Sequence, residues 1–188
     1  MLTPLPDELL RPYVEHALRE DMGDKGDITT DAIIPVDMKN RATLNARKAG
    51  VIAGLDLARL AFQALDPNSV FTALKKDGDS VMPGDDLARI EGKARAILSA
   101  ERTALNFLCH LSGIATEARK IVDAVRPHKA RICCTRKTNP GLRLLEKYAV
   151  RAGGASNHRF GLFDAVLIKD NHIAMAGGIR PALERIYK

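Results

Sequence analysis

The chain has 188 residues, with 29 Lys and Arg against 23 Asp and Glu, a formal net charge of +6, 46% hydrophobic and 4% aromatic residues. That composition can bury a genuine core and excludes disordered and collagen-like chains. The longest apolar runs, such as Ala165-Val166-Leu167-Ile168, are far short of the roughly 20 residues that span a bilayer, so no membrane partner is expected. The opening residues lack a basic stretch followed by an apolar one, the mark of a secretory signal, and a cytoplasmic location is expected.

In chain order, Leu9, Leu10, Tyr13, Val14, Ala17 and Leu18 recur at helical spacing behind acidic Asp7 and Glu8, which predicts an amphipathic helix over 6–22. Glycines and aspartates make 23–30 a loop, and alternation around Ala42, Leu44 and Ala46 predicts strand over 41–52. A helix is expected at 56–65, then short strands broken by glycine turns at 71–74, 80–82 and 87–92. Leu105, Phe107, Leu108, Leu111 and Ile114 predict a long helix from Ser99 through Val125, with a break near Ser112-Gly113. A parallel βα rhythm follows: strand 131–135, helix 140–152, glycine-rich loop 153–157, strand 165–169 and helix 179–186.

Cys109, Cys133 and Cys134 are odd in number and include an adjacent pair, which suits neither a disulfide framework nor a zinc site. They are expected to be buried thiols in a reducing compartment.

Charge is concentrated late in the chain. Residues 131–172 hold eight Lys and Arg against Glu146, Asp164 and Asp170. Nucleic-acid binders interleave stacking aromatics with their bases, and only Tyr148, Phe160 and Phe163 occur here, so a small polyanion is the better match and no nucleic-acid partner is expected. Thr135-Arg136-Lys137-Thr138 follows the apolar Ile132-Cys133-Cys134, where a strand's carboxyl end would offer a ligand site. An arginine fork pairs with carboxylate or phosphate, and an adjacent lysine adds a point charge. Asn157-His158-Arg159 follows the small residues Gly153-Gly154-Ala155-Ser156, and Lys169-Asp170-Asn171-His172 follows the apolar run at 165–168. Three cationic clusters are thus expected on one rim. His158 and His172 have no third ligand at metal spacing, and neither a Gly-x-Ser-x-Gly elbow nor a phosphate-binding Walker loop occurs. The turn-rich stretch 77–91 resembles biotinyl and lipoyl carrier hairpins, yet none of Lys75, Lys76 or Lys93 sits at an exposed tip flanked by apolar residues.

Four motifs in combination carry a resemblance: Thr135-Arg-Lys-Thr-Asn-Pro-Gly-Leu-Arg143, Lys147-Tyr-Ala-Val-Arg-Ala-Gly-Gly154, Asn157-His-Arg-Phe-Gly-Leu162 and Ile168-Lys-Asp-Asn-His172. With Gly26-Asp-Ile-Thr-Thr30 and the run from Glu101 to Thr116 upstream, the chain closely resembles the quinolinate phosphoribosyltransferase family, also called nicotinate-nucleotide pyrophosphorylase (carboxylating). The resemblance implies an α/β protein: an N-terminal α/β sandwich domain over 1–114, then the first part of a type II phosphoribosyltransferase α/β barrel, the catalytic domain, over 115–188. It implies transfer of a phosphoribosyl group from phosphoribosyl pyrophosphate to quinolinate with decarboxylation, giving nicotinate mononucleotide, CO2 and pyrophosphate, with Mg2+ as cofactor. Arg136, Lys137, His158, Arg159 and Lys169 would line the substrate pocket with Thr135 beside them. Lys137 and Lys169 would face the leaving pyrophosphate, and Arg102 would reach the neighbouring active site of a homodimer. A molybdenum-operon paralogue and a nicotinate phosphoribosyltransferase share the fold, but Arg102 with His158-Arg159 favours a dicarboxylate. A non-catalytic carrier module is the alternative from another class.

Cys134 stands where the family commonly has Asp, and Ala155 where a third Gly is common. At roughly 30 residues per βα unit, 115–188 supplies only two or three units. A C-terminally truncated chain is therefore expected, with the family's magnesium-binding acidic residues beyond Lys188 and no metal ligand in this chain.

Overall fold

Residues 2–187 are described by a computed structural model, and its first helix, α1 (Asp7–Met22), buries the predicted stripe of Leu10, Val14 and Leu18. A short helix not expected from the sequence follows, α2 (Ile28–Ile33). Its cause is local: Asp27 Oδ1 accepts the Thr30 N–H at 3.0 Å, capping the helix, and Ser99 Oγ donates to Asp27 Oδ2 at 3.0 Å. These bonds, the one to Thr30 first, hold the Asp27 carboxyl below its ordinary value of 3.8. A lowered folded value means that the cap is intact above the unfolded value and is lost as the pH falls through the folded one. Acidification below about pH 4 should therefore release the Thr30 amide to hydrogen exchange before the core amides; protection unchanged to pH 2 would contradict this role.

The single alternation expected over 41–52 is two strands, β1 (Lys39–Asn45) and β2 (Gly50–Val51), separated by a bend at 47–49. They enter different sheets. With β3 (Val70–Ala73), β4 (Ser80–Val81) and β5 (Asp86–Lys93), one antiparallel sheet has the order β1-β5-β3 and a second pairs β2 with β4. Helix α3 (Leu55–Leu65) packs against α1 and the long helix that follows the sheets, burying Leu57, Leu60 and Phe62 almost completely.

Helix α4 (Ala94–Ala124) is continuous through Ser112-Gly113, where a break was expected. Ser112 Oγ accepts the Ala53 N–H at 3.0 Å, and Thr116 Oγ1 accepts the Val51 N–H at 2.9 Å while donating to the Ser112 carbonyl at 2.6 Å. The small polar residues that suggest a break therefore dock β2 and the start of α3 on an unbroken helix. Close approach also explains Gly50, since a Cβ there would lie 2.7 Å from Thr116 Oγ1.

Helix α5 (Arg143–Ala152) begins later than predicted, because Gly141, at φ +82°, turns the chain after Pro140. Helix α6 (Asp170–Ala176) was not expected, and α7 (Ile179–Ile186) has its predicted limits. Neither predicted barrel strand is a strand. At 131–135 there is one parallel bridge, Cys133 to Ser156, flanked by Cys134 N–H to Ser156 O at 3.0 Å and Ser156 N–H to Ile132 O at 2.9 Å. The glycine-rich segment thus supplies the partner, and α5 is the crossover of a minimal βαβ unit. Residues 166–169 have no regular structure, with Val166 71% exposed. An apolar parallel strand needs neighbours on both edges and cover on both faces, and the described residues offer it neither.

By contacts the chain forms two units, 1–157 and 158–188. The first holds both antiparallel sheets and α1 to α5, and the second holds α6 and α7. Among the described residues no helix is long and apolar enough to cross a membrane.

Candidate active site

In the first unit, the segment after the Cys133–Ser156 bridge carries Thr135, Arg136 and Lys137. Thr135 Oγ1 accepts the Lys137 N–H at 3.1 Å, and Thr138 Oγ1 accepts from Arg143 Nε at 3.1 Å. Asn139 is tied twice to α5: its N–H donates to Glu146 Oε2 at 3.2 Å and its side-chain amide to Glu146 Oε1 at 2.7 Å. Arg136 differs from its neighbours, because its Nε is buried with no hydrogen-bond partner. Arginine donors are ordinarily satisfied when buried, so an unpartnered one marks where an anion's oxygen could be accepted.

Glu146 and Lys147 are 7% and 3% exposed, although the sequence counts them only as members of a charged segment. His110 Nε2 on α4 lies 3.1 Å from Glu146 Oε1, and Lys147 Nζ donates to Cys134 Sγ at 3.2 Å. Cys134 thus presents its sulfur to a buried ammonium. The expectation of three buried thiols fails: Cys109 and Cys133 are exposed and Cys134 half-buried. Cys109 lies on the solvent side of α4, and Cys133 is exposed beside its bridge to Ser156.

Next along α5, Tyr148 donates to Asp77 Oδ2 at 2.8 Å, and Asp77 also accepts the N–H groups of Gly54 and Leu55 at 2.9 and 3.1 Å. Burial pushes the Asp77 carboxyl up despite these three donors. Burial, followed by the charge of Asp77, raises the Tyr148 hydroxyl far above its ordinary range. The turn that resembles a carrier hairpin is therefore the N-terminal cap of α3. Lys75, one of the three lysines that do not fit a carrier hairpin, lies 3.3 Å from Asp85.

Arg102 is exposed on α4 and forms no ion pair among the described residues. A groove of about 820 Å³ in this unit, lined by Tyr13, His16, Glu20, Phe107, His110 and Leu142, shares His110 with the Glu146 contacts but includes none of the predicted site residues.

In the second unit, Asp164 accepts the N–H groups of Gly161 and Phe160 at 2.7 and 2.5 Å, and these bonds lower its carboxyl below the ordinary value. The tight turn they close carries Arg159, whose Nη1 donates to the Ala165 carbonyl at 2.7 Å and whose Nε is buried without a partner. His158 is exposed in the same segment. Lys169 is exposed at the start of α6, its N–H donating to His172 Nδ1 at 2.9 Å. His172 is thereby a local cap. Among the described residues no three His, Cys, Asp or Glu side chains converge as a metal site.

Sequence motifs thus identify both arginines with unpartnered Nε atoms. They do not single out Glu146, which lies between two of the motifs, and they assign no role to Asn139 and His110, which lie inside them; the lone sequence signal for Glu146 is an acid seven residues after an asparagine in a basic segment.

The model of the quinolinate phosphoribosyl transferase N-terminal domain matches residues 27–112, and that of its C-terminal domain matches 114–188. A relative called quinolinate phosphoribosyltransferase [decarboxylating] 1b, from Nicotiana tabacum, is 47% identical over 94% of this chain and 50% of its own length. A probable nicotinate-nucleotide pyrophosphorylase [carboxylating] from Bacillus subtilis is 45% identical over 94% of this chain and 60% of its own. The chain thus spans about half the length of the first of these relatives. The crystal structure of NadC from Streptococcus pyogenes superposes with a TM-score of 0.94 at 42% identity, covering 98% of this chain and 65% of that one. The two domain models of this family, which together match 27–112 and 114–188, the similar relatives and the superposition agree with the motif set and the α/β architecture, and the chain belongs to the quinolinate phosphoribosyltransferase family.

Proposed function

We propose that the protein serves phosphoribosyl transfer from phosphoribosyl pyrophosphate to the ring nitrogen of quinolinate, with decarboxylation to nicotinate mononucleotide. The observation that carries this reading is chemical. Of the three buried side-chain polar atoms without a partner among the described residues, two are Arg136 Nε and Arg159 Nε. A pyridine dicarboxylate and a pyrophosphorylated sugar are the anions such forks accept. Arg136 and Arg159 would each bind a carboxylate or phosphate, His158 would add a ring-nitrogen donor, and Thr135 would hold the turn that presents Lys137. Lys137 and Lys169 would offset the charge that develops on the leaving pyrophosphate. The pyridinium created by ring-nitrogen attack is itself the electron sink for loss of CO2, so no covalent intermediate with the protein is needed.

Magnesium belongs to this reading as an ion carried by the substrate's phosphate oxygens. Since no three acidic or His side chains converge among the described residues, the side chains here do not fit a metal cage, and no step is assigned to the ion. The barrel domain would begin at residue 115. Arg102, exposed on α4, would reach the active site of a second copy in a homodimer. A cytoplasmic setting suits three free thiols, two of them exposed.

Titration calorimetry with quinolinate and, in parallel, nicotinate at low salt tests the substrate. Quinolinate should bind at least about tenfold tighter, the effect of one charged hydrogen-bonded pair to its second carboxylate. Equal affinities would favour a monocarboxylate phosphoribosyltransferase. Intact mass showing biotin or lipoate on a lysine would favour the carrier module.

A further inference from the structure

We infer that Glu146 is a positioning residue for the loop that presents Arg136 and Lys137, acting through Asn139; this rests on the functional reading above. A carboxylate 7% exposed is costly to bury, and the cost is offset only where donors converge on it. Here they come from two directions. Asn139 supplies its N–H and its side-chain amide, at 3.2 and 2.7 Å, and His110 Nε2 on α4 lies 3.1 Å away. Asn139 lies two residues beyond Lys137 and is itself exposed, and among the described residues both of its donor bonds go to this carboxylate.

Of the other bonds of the loop, the Lys137 N–H to Thr135 stays within it, and Arg143 Nε to Thr138 reaches only the first residue of α5. Glu146 is the group that refers the loop to both α5 and α4, the helix that also carries Arg102. It lies in the first turn of α5, where an acid also favours the helix dipole. That role alone would need neither Asn139 nor His110.

Without the Glu146–Asn139 bonds the loop should open, and an anion should see a smaller fraction of chains with Arg136 in place. If that fraction falls to about a tenth, affinity falls about tenfold.

The test uses the full chain with Glu146→Gln, Asn139→Ala and the double variant. It reads the quinolinate dissociation constant and the rate of tryptic cleavage after Arg136 and Lys137, well below the melting temperature. Each single variant should raise cleavage and weaken quinolinate by about tenfold, and the double should do little more than either, because both remove one linkage. Should Glu146→Gln not fold, Asn139→Ala breaks the side-chain bond from its exposed end. Lower melting temperatures with unchanged loop cleavage, or faster cleavage with unchanged quinolinate affinity, would overturn the proposal. If the unmodified chain binds no quinolinate, the functional reading fails by itself, and the cleavage rates alone then decide whether Glu146 holds the loop.

Discussion

Lys137→Ala should lower kcat by about a hundredfold while leaving the KM for quinolinate within about threefold, whereas Arg159→Ala should do the reverse. The two residues differ in what they have to offer. The Lys137 side chain is exposed and its backbone is held by Thr135 Oγ1 at 3.1 Å, so a mobile ammonium stands on a fixed turn. Such a group interacts most strongly with charge that grows during the reaction, which is a contribution to the transition state. Arg159 is anchored by one Nη donor on the Ala165 carbonyl, and its buried Nε remains to be satisfied. A pre-oriented fork of this kind binds a carboxylate equally before and during the chemistry. Its removal costs about 1.5–3 kcal/mol, or roughly 10- to 150-fold in KM. Steady-state kinetics with quinolinate varied at saturating phosphoribosyl pyrophosphate separates the two effects. Unchanged parameters in both variants would refute the assignment of these residues.

The largest stability effect should come from Gly153→Ala. Gly153 has φ −70°, which alanine adopts freely, so backbone strain plays no part. A Cβ at this position would run into the Ala115 carbonyl oxygen and would lie 2.6 Å from Ala118 Cβ and 3.1 Å from the Arg119 nitrogen. These atoms belong to α4, most of them to its backbone, and cannot swing aside. Arg119 Nε also donates to the Gly153 carbonyl at 3.0 Å, which fixes the two elements at this separation. Relief requires α5 to move away from α4, and overpacking of this kind costs about 3 kcal/mol. For a chain of this length that lowers the melting temperature by about 6–12 °C. Thermal unfolding followed by circular dichroism checks the value. Gly141→Ala serves as the contrast: φ is +82° but nothing lies within 4 Å of the new Cβ, so only the left-handed backbone is penalised, at about 1 kcal/mol. Equal melting temperatures for the two variants would show that α4 and α5 do not meet as closely as described.

The Gly153 contact also bears on the site. Helix α5 carries Glu146, Lys147 and Tyr148, which bond to Asn139, Cys134 and Asp77 respectively. Displacing α5 would therefore disturb the Arg136 loop, one βαβ partner and the cap of α3 together. Weaker anion binding is expected in Gly153→Ala even at temperatures where the chain remains folded.

Much of this protein was determined by local sequence. The spacing of Leu10, Val14 and Leu18 sufficed for α1, and the turn-rich stretch 77–91 sufficed for the short strands β4 and β5, because each pattern depends only on which face of an element must be buried. The motifs at 135–143, 157–162 and 168–172 disclosed the family and both arginines whose Nε atoms are without a partner, since a fork that must hold an anion is constrained in residue type. Other features needed the tertiary structure. Ser112-Gly113 looks like a helix break until Ala53 arrives to bond with Ser112. The apolar run at 165–168 looks like a buried strand, but a strand is defined by its partners, and here none pairs with it among the described residues. Glu146 looks like one solvated acid among many bases. Only the packing of α5 against α4 buries it and brings His110 and Asn139 to it, because the value of a buried charge is set by donors that are distant in sequence and adjacent in space.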